Sequence, residues 1–288
     1  MEQLNNQTIS VIFFGSSKYV LPVIEALDKN FDLILVVTTE REPSDPIIKF
    51  CQKENISYHS VSSTANLSSL VNGQLSNVKC DLGVVADFGI IIPKEVLDAF
   101  PEGIINIHPS LLPKYRGPTP VQTAILNGDE KTGVTIIKID EEVDHGPILF
   151  QEEEAIKLEN TSEILLLRLF QKAANSLSKT ISEYIKGSLN LAEQIHKNAS
   201  YTKLFTKKDG FIDVSNPPSK ELLDRMIRAY FPWPGVWSKF KIRNSKFEII
   251  KFLPGSKLQI SGKRSISYED FINGYQNGKD FLERLNLV

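Results

Sequence analysis

The 288 residues are 41% hydrophobic and 24% charged, enough apolar material for one large core and part of a second. A formal net charge of −2 hides an uneven distribution: residues 1–200 carry 17 Lys/Arg against 26 Asp/Glu, whereas residues 201–288 carry 16 against 9. An evenly charged chain is thereby excluded, and the basic C-terminal portion suggests a polyanionic partner.

Taken in order, residues 9–15 (ISVIFFG), 31–38 (FDLILVVT) and 80–86 (CDLGVVA) predict buried strands, followed by strands at 103–108, 134–139 and 148–151. Between them, 19–27, 46–54, 94–99 and 120–126 suit helices. Strands that alternate with helices imply an α/β fold with a mostly parallel sheet covered on both faces. Residues 161–186 predict one long amphipathic helix, capped by Thr161 or Ser162 and ended by Gly187. Residues 188–208 are polar and aperiodic and read as a linker. From Asp209 onward a helix at 219–229, the run FPWPGVW and short strands at 237–242, 247–252 and 257–260 predict a small β-rich domain. The division expected is therefore 1–187, a linker at 188–208, and 209–288. Cys51 and Cys80 lack the spacing of a disulfide frame or a metal site, so no metal is expected. No apolar run approaches the roughly 20 residues of a membrane helix, and the expected location is cytoplasmic.

The first strand–helix turn, Gly15-Ser16-Ser17-Lys18-Tyr19, has one glycine where a dinucleotide fingerprint needs three, which argues against a nicotinamide cofactor. The informative stretch is Gly103-Ile104-Ile105-Asn106-Ile107-His108-Pro109-Ser110-Leu111-Leu112-Pro113. Asn106 and His108 lie two apart on an apolar strand and project from one face. A carboxamide beside an imidazole at a strand's C-terminal end can stabilise an oxyanion and move a proton. A second strand begins at Gly133-Val134-Thr135 and leads to Asp144-His145-Gly146-Pro147. A carboxylate in that turn can face His108 across a cleft, favour the imidazolium, or take a proton through a water. Asp140, Glu141 and Glu142 read by themselves as a solvated turn, and His145 is ambiguous.

These pieces, Asn106-Ile107-His108, Ser110-Leu111-Leu112-Pro113 and Gly133 through Asp144-His145-Gly146, resemble in order and spacing the folate-dependent formyltransferase family. Tyr115-Arg116-Gly117-Pro118-Thr119-Pro120-Val121-Gln122, Arg228-Ala229-Tyr230-Phe231-Pro232-Trp233-Pro234-Gly235 and the segment from Gly262 to Phe271 are most similar to the branch that formylates methionyl-tRNA. The resemblance implies a Rossmann-like domain followed by a shortened OB-like one, with Asn106, His108 and Asp144 as the catalytic trio. It implies 10-formyltetrahydrofolate as donor, in a pocket of Ala86, Phe88, Gly89, Ile90, Ser110, Leu111, Leu112, Pro113, Asp140 and Val143. The implied acceptor is the amino group of initiator methionyl-tRNA, met by Arg116, Lys241, Arg243, Lys246, Lys263 and Arg264; no membrane or obligate protein partner is expected. Two departures stand out. The family's basic, glycine-rich insertion after the second strand is replaced by the short, acidic Thr39-Glu40-Arg41-Glu42-Pro43-Ser44-Asp45-Pro46, and only about 50 residues follow Gly235. An amino-sugar-nucleotide N-formyltransferase would share trio and pocket without needing that insertion; the basic tail and the closing segment favour tRNA.

Overall fold

A computed structural model describes residues 8–39, 42–73, 75, 78–241 and 247–288. Seven strands, β1 (Ser10–Gly15), β2 (Asp32–Thr38), β3 (Tyr58–Ser60), β4 (Leu82–Ala86), β5 (Ile104–His108), β6 (Lys131–Lys138) and β7 (Ile148–Ala155), form one sheet in the order β3-β2-β1-β4-β5-β6-β7. The pairs β1–β2, β2–β3, β1–β4 and β4–β5 are parallel, and β6 runs antiparallel to β5. The helices between and after them are α1 (Leu21–Asn30), α2 (Pro46–Glu54), α3 (Thr64–Asn72), α4 (Lys94–Leu97), α5 (Pro120–Asn127) and α6 (Ser162–Ile185).

Val11, Ile12, Phe13 and Phe14 are consecutive and all buried, as a central strand covered on both faces requires. The chain reverses its direction of strand addition between β1 and β4, and such a switch opens a crevice beyond the carboxyl ends of the strands. β5 ends in that region, which is where Asn106 and His108 stand. The strand β3 and the helix α3 are additions to the elements expected from periodicity.

The described parts of 1–118, 132–154 and 166–201 form one compact unit, and those of 119–131, 155–165 and 202–288 a second. This differs from a cut near 187 followed by a linker. Residues 188–201 belong to the first unit: Ala192 exchanges backbone hydrogen bonds with Ile148, and Ser200 O accepts from the Arg116 amide at 2.8 Å. Conversely, the Thr119 hydroxyl donates to Lys203 O at 2.9 Å, and Ser162 Oγ to Phe231 O at 2.6 Å, which tie 119–131 and 155–165 to the second unit.

In that second unit, α7 (Lys220–Ala229) precedes an antiparallel sheet of β8 (Val236–Lys241), β9 (Phe247–Leu253), β10 (Lys257–Ile260) and β11 (Ser265–Ser267), ordered β11-β10-β9-β8. The helices α8 (Tyr268–Gly274) and α9 (Gly278–Arg284), not expected from the sequence, supply the rest of its core. The Phe240 ring lies 4.9 Å from those of Phe271 and Phe281, and all three are buried. Phe252 joins them, whereas Phe247 is exposed, so Phe240, Phe247 and Phe252 do not all share one face.

Both cysteines are buried and free. Loss of hydration pushes the Cys51 thiol up to about 11 and Cys80 up to about 12, so neither supplies a thiolate near neutrality. Among the described residues no helix is long and apolar enough to cross a membrane.

Candidate active site

The carboxylate of Asp144 is the convergence point. Asn106 Nδ2 donates to its Oδ1 at 3.0 Å, and the amide of Gly117 donates to its Oδ2 at 2.7 Å. His108 Nδ1 stands 3.4 Å from the same Oδ2, with both side chains almost wholly buried. The opposite ring nitrogen, His108 Nε2, lies 2.9 Å from the carbonyl oxygen of Tyr115. A carbonyl only accepts, so Nε2 carries a proton and Nδ1 is the atom left to gain or lose one beside the carboxylate. The three side chains expected to form a trio are thus brought together at one end of β5.

Two backbone features hold this arrangement. Tyr115 and Asp144 both have positive φ, 63° and 50°, in the left-handed region that few non-glycine residues occupy. Gly117, with φ 101°, lies in a region only glycine enters readily, and that conformation presents its amide to Asp144.

The expected folate wall at 110–113 is fixed by a residue the sequence reading passed over. Thr135 Oγ1, fully buried in β6, donates to Ser110 O at 2.6 Å and accepts from the Leu112 amide at 3.2 Å and from Gln151 Nε2 at 2.9 Å. Gln151 also donates to Leu112 O at 3.0 Å. Leu111 packs over Gly133, where a Cβ would meet Leu111 Cδ2 at 2.4 Å and the Glu152 carbonyl oxygen at 2.3 Å. The only sequence signal was a hydroxyl inside an apolar strand. Thr135→Val keeps the shape but leaves these donors and acceptors unmatched, at a cost of about 1–3 kcal/mol. The expected result is a roughly tenfold or greater rise in the Michaelis constant for folate, with that for the acceptor little changed, read from initial rates.

Of the other residues expected to line the pocket, Ala86 is buried at the end of β4, and Phe88 and Ile90 pack against one hydrophobic cluster with Phe14 and Val85. Gly89 and Val143 are exposed. Asp140 is committed internally: Oδ1 accepts from the Glu142 amide and Oδ2 faces His145 Nδ1 at 2.6 Å. An open cleft lined by His59, Ser60, Ser62 and Asn66 is separated from β5 by β2, β1 and β4, too far away to share this chemistry.

Arg116 is placed at odds with the acceptor contact expected of it. Its side chain is 1% exposed, and its guanidinium donates to Gln194 Oε1, His196 Nδ1 and the Tyr201 hydroxyl. A fork spent on Gln194, His196 and Tyr201 is not offered to phosphate. Lys241 lies exposed on the outer face of β8, and Lys263 and Arg264 are exposed between β10 and β11, with Lys263 Nζ 2.9 Å from the Tyr275 hydroxyl. Arg243 and Lys246 lie outside the described residues. Cross-strand register gives Lys241 its neighbours: Trp237 opposes Lys251, Lys239 opposes Ile249, and Lys241 opposes Phe247, so these six share one face.

The family model for formyl transferase matches residues 8–181. A methionyl-tRNA formyltransferase of Roseiflexus sp. (strain RS-1) is 35% identical over 81% of this chain and 74% of its own. One from Koribacter versatilis (strain Ellin345) is 31% identical over 96% and 99%. Among solved structures, the sugar 3N-formyl transferase WlaRD, determined with dTDP and 5-N-formyl-THF, shares the fold at a TM-score of 0.61 and 22% identity, over 90% of this chain and 100% of its own. Identity at this level over nearly the whole length of a relative goes with the asparagine, histidine and aspartate gathered at the end of β5: the chain belongs to the formyl transferase family and, within it, to the methionyl-tRNA formyltransferases.

Proposed function

We propose that this enzyme transfers the formyl group of 10-formyltetrahydrofolate to the amino group of initiator methionyl-tRNA, with Asn106, His108 and Asp144 as the reacting groups. The observation that carries the reading is the Asp144 carboxylate, held by Asn106 and Gly117 beside His108 Nδ1. Family membership supports a folate donor, and the relatives' names support methionyl-tRNA as acceptor. The residues present fit a folate: an apolar floor of Phe88 and Ile90, and a wall at 110–113 fixed from behind by Thr135.

The folate supplies an activated formyl group whose carbon the acceptor amine attacks. Asn106 Nδ2 has a second N–H beyond the one given to Asp144, and aims it at negative charge developing on the formyl oxygen. His108 Nδ1, the ring atom left free to act because Nε2 is held by Tyr115, gives its proton to the folate nitrogen as the bond from that nitrogen to the formyl carbon breaks. Asp144 accepts the proton released by the amine, directly or through a water. Burial of the trio raises the worth of each of these contacts by excluding bulk solvent.

The deciding assay offers one donor, 10-formyltetrahydrofolate, to methionyl-tRNA and to an amino-sugar nucleotide in parallel. Formylation of the tRNA with a much higher kcat/KM is expected. Preference for the sugar nucleotide overturns the assignment of the acceptor while leaving the folate chemistry in place.

A further inference from the structure

We propose that Gln194, anchored by Arg116, is a positioning residue that sets the backbone of Asp144 and so controls turnover rather than substrate binding. The inference rests on the reading of Asp144 as the proton acceptor.

Gln194 comes from a segment that looks like a linker, yet its side chain is 4% exposed and all its hydrogen-bonding capacity is spent. Nε2 donates to Asp144 O at 2.9 Å and to Gly146 O at 2.8 Å, so one amide grips both sides of His145. Oε1 accepts from Arg116 Nη2 at 2.7 Å and Nε at 3.3 Å. Arginine has no acceptor, so Oε1 must face it and the NH2 group must face the two carbonyls; the amide cannot turn over without losing all four bonds.

The gripped turn is the one that needs holding. Asp144 is left-handed, at φ 50°, and its carboxylate direction follows from that backbone. Arg116 closes the circuit, because the next residue is Gly117, whose amide holds Asp144 Oδ2. One short stretch thus fixes Asp144 twice, through its own amide to the carboxylate and through Arg116 and Gln194 to the main chain. Arg116 is held in turn by His196 Nδ1 at 2.9 Å, and the His196 ring stacks on His145 at 4.0 Å, within the same turn. Gln194 reaches no group of the trio's side chains, so its influence runs through geometry, to which proton transfer is sensitive: a shift of about 1 Å costs on the order of 100-fold.

The test uses the full chain with Gln194→Leu, which keeps bulk and deletes every bond, and Gln194→Glu, which keeps the acceptor for Arg116 and loses the two donors. The expected result for both is a kcat lower by roughly 10- to 100-fold, with KM for folate and for tRNA each within about threefold of the parent. Combined with Asp144→Asn, Gln194→Glu should add little further loss, since there is no carboxylate left to aim. A kcat equal to the parent's in a folded variant, or a full multiplicative loss in the double variant, overturns the proposal. So does failure of both single variants to fold, because a positioning role requires a fold that survives without the grip. If Asp144→Asn alone keeps parental turnover, the reading of Asp144 fails instead, a result distinguishable from the others because it does not involve Gln194.

Discussion

Asp144→Asn, His108→Ala and Asn106→Ala are each expected to lower turnover by about 100-fold or more while the protein still melts cooperatively. The reasons differ. Asn106→Ala removes the donor proposed to meet the developing charge and frees Asp144 Oδ1. His108→Ala removes the ring atom proposed to move a proton and takes from the Tyr115 carbonyl its ring contact. Asp144→Asn keeps the shape, but its amide nitrogen must face Asn106 Nδ2 or the Gly117 amide, donor against donor. Single-turnover rates with saturating folate and methionyl-tRNA, taken beside circular dichroism spectra, check all three. A folded variant with near-parental rate removes its residue from the mechanism.

That trio was legible in the sequence for a physical reason. Two polar residues two apart on an apolar strand can only share a face, and the β5 register places Asn106 and His108 so. Asp144 was legible as a carboxylate in a Gly-Pro turn, though not the left-handed backbone that aims it. Arg116 misled because an arginine beside a site motif suggests a ligand contact. Its burial depends on Gln194, His196 and Tyr201, about 80 residues later, which no local pattern announces. Gln194 itself lies in an aperiodic stretch whose hydrogen bonds all run to distant partners. The missed elements were short or weakly patterned: three residues each in β3 and β11, seven each in α8 and α9, and in α3 a Ser- and Asn-rich helix started by the Ser63 cap.

Binding of methionyl-tRNA is expected to weaken steeply with salt, with a log–log slope of several units. The outer face of β8 and β9 carries Lys239, Lys241 and Lys251, with Trp237, Ile249 and Phe247 set among them in register. Lys207 Nζ sits 5.9 Å from the Trp237 ring centroid. Burial depresses its pKa, and the charge of nearby Lys251 depresses it further, the situation a bound phosphate would relieve. Because the stretch after β2 is short and acidic, this face is expected to carry a larger share of affinity than a longer basic insertion would leave to it. Reversing Lys239, Lys241 and Lys251 to glutamate together should flatten the salt slope by roughly three units. Formylation of a small amine mimic should be spared, since none of these residues belongs to the trio. Filter binding between 50 and 200 mM salt measures the slope. A tRNA affinity indifferent both to salt and to these changes would sink the role given to this face and favour the sugar-nucleotide acceptor.

The loop at 115–117 gives His108 an acceptor and Asp144 a donor, and both are peptide groups. A scan that truncates side chains is blind to them: Tyr115→Ala keeps the carbonyl, and Gly117 has no side chain to truncate, while any residue put in its place strains a backbone at φ 101°. Part of what orients His108 and Asp144 is therefore written in main chain, and its worth is read by chemical editing of the backbone. Replacing the 116–117 peptide bond by an ester deletes the one N–H that Asp144 Oδ2 receives from this loop while leaving the side chains of the site unaltered.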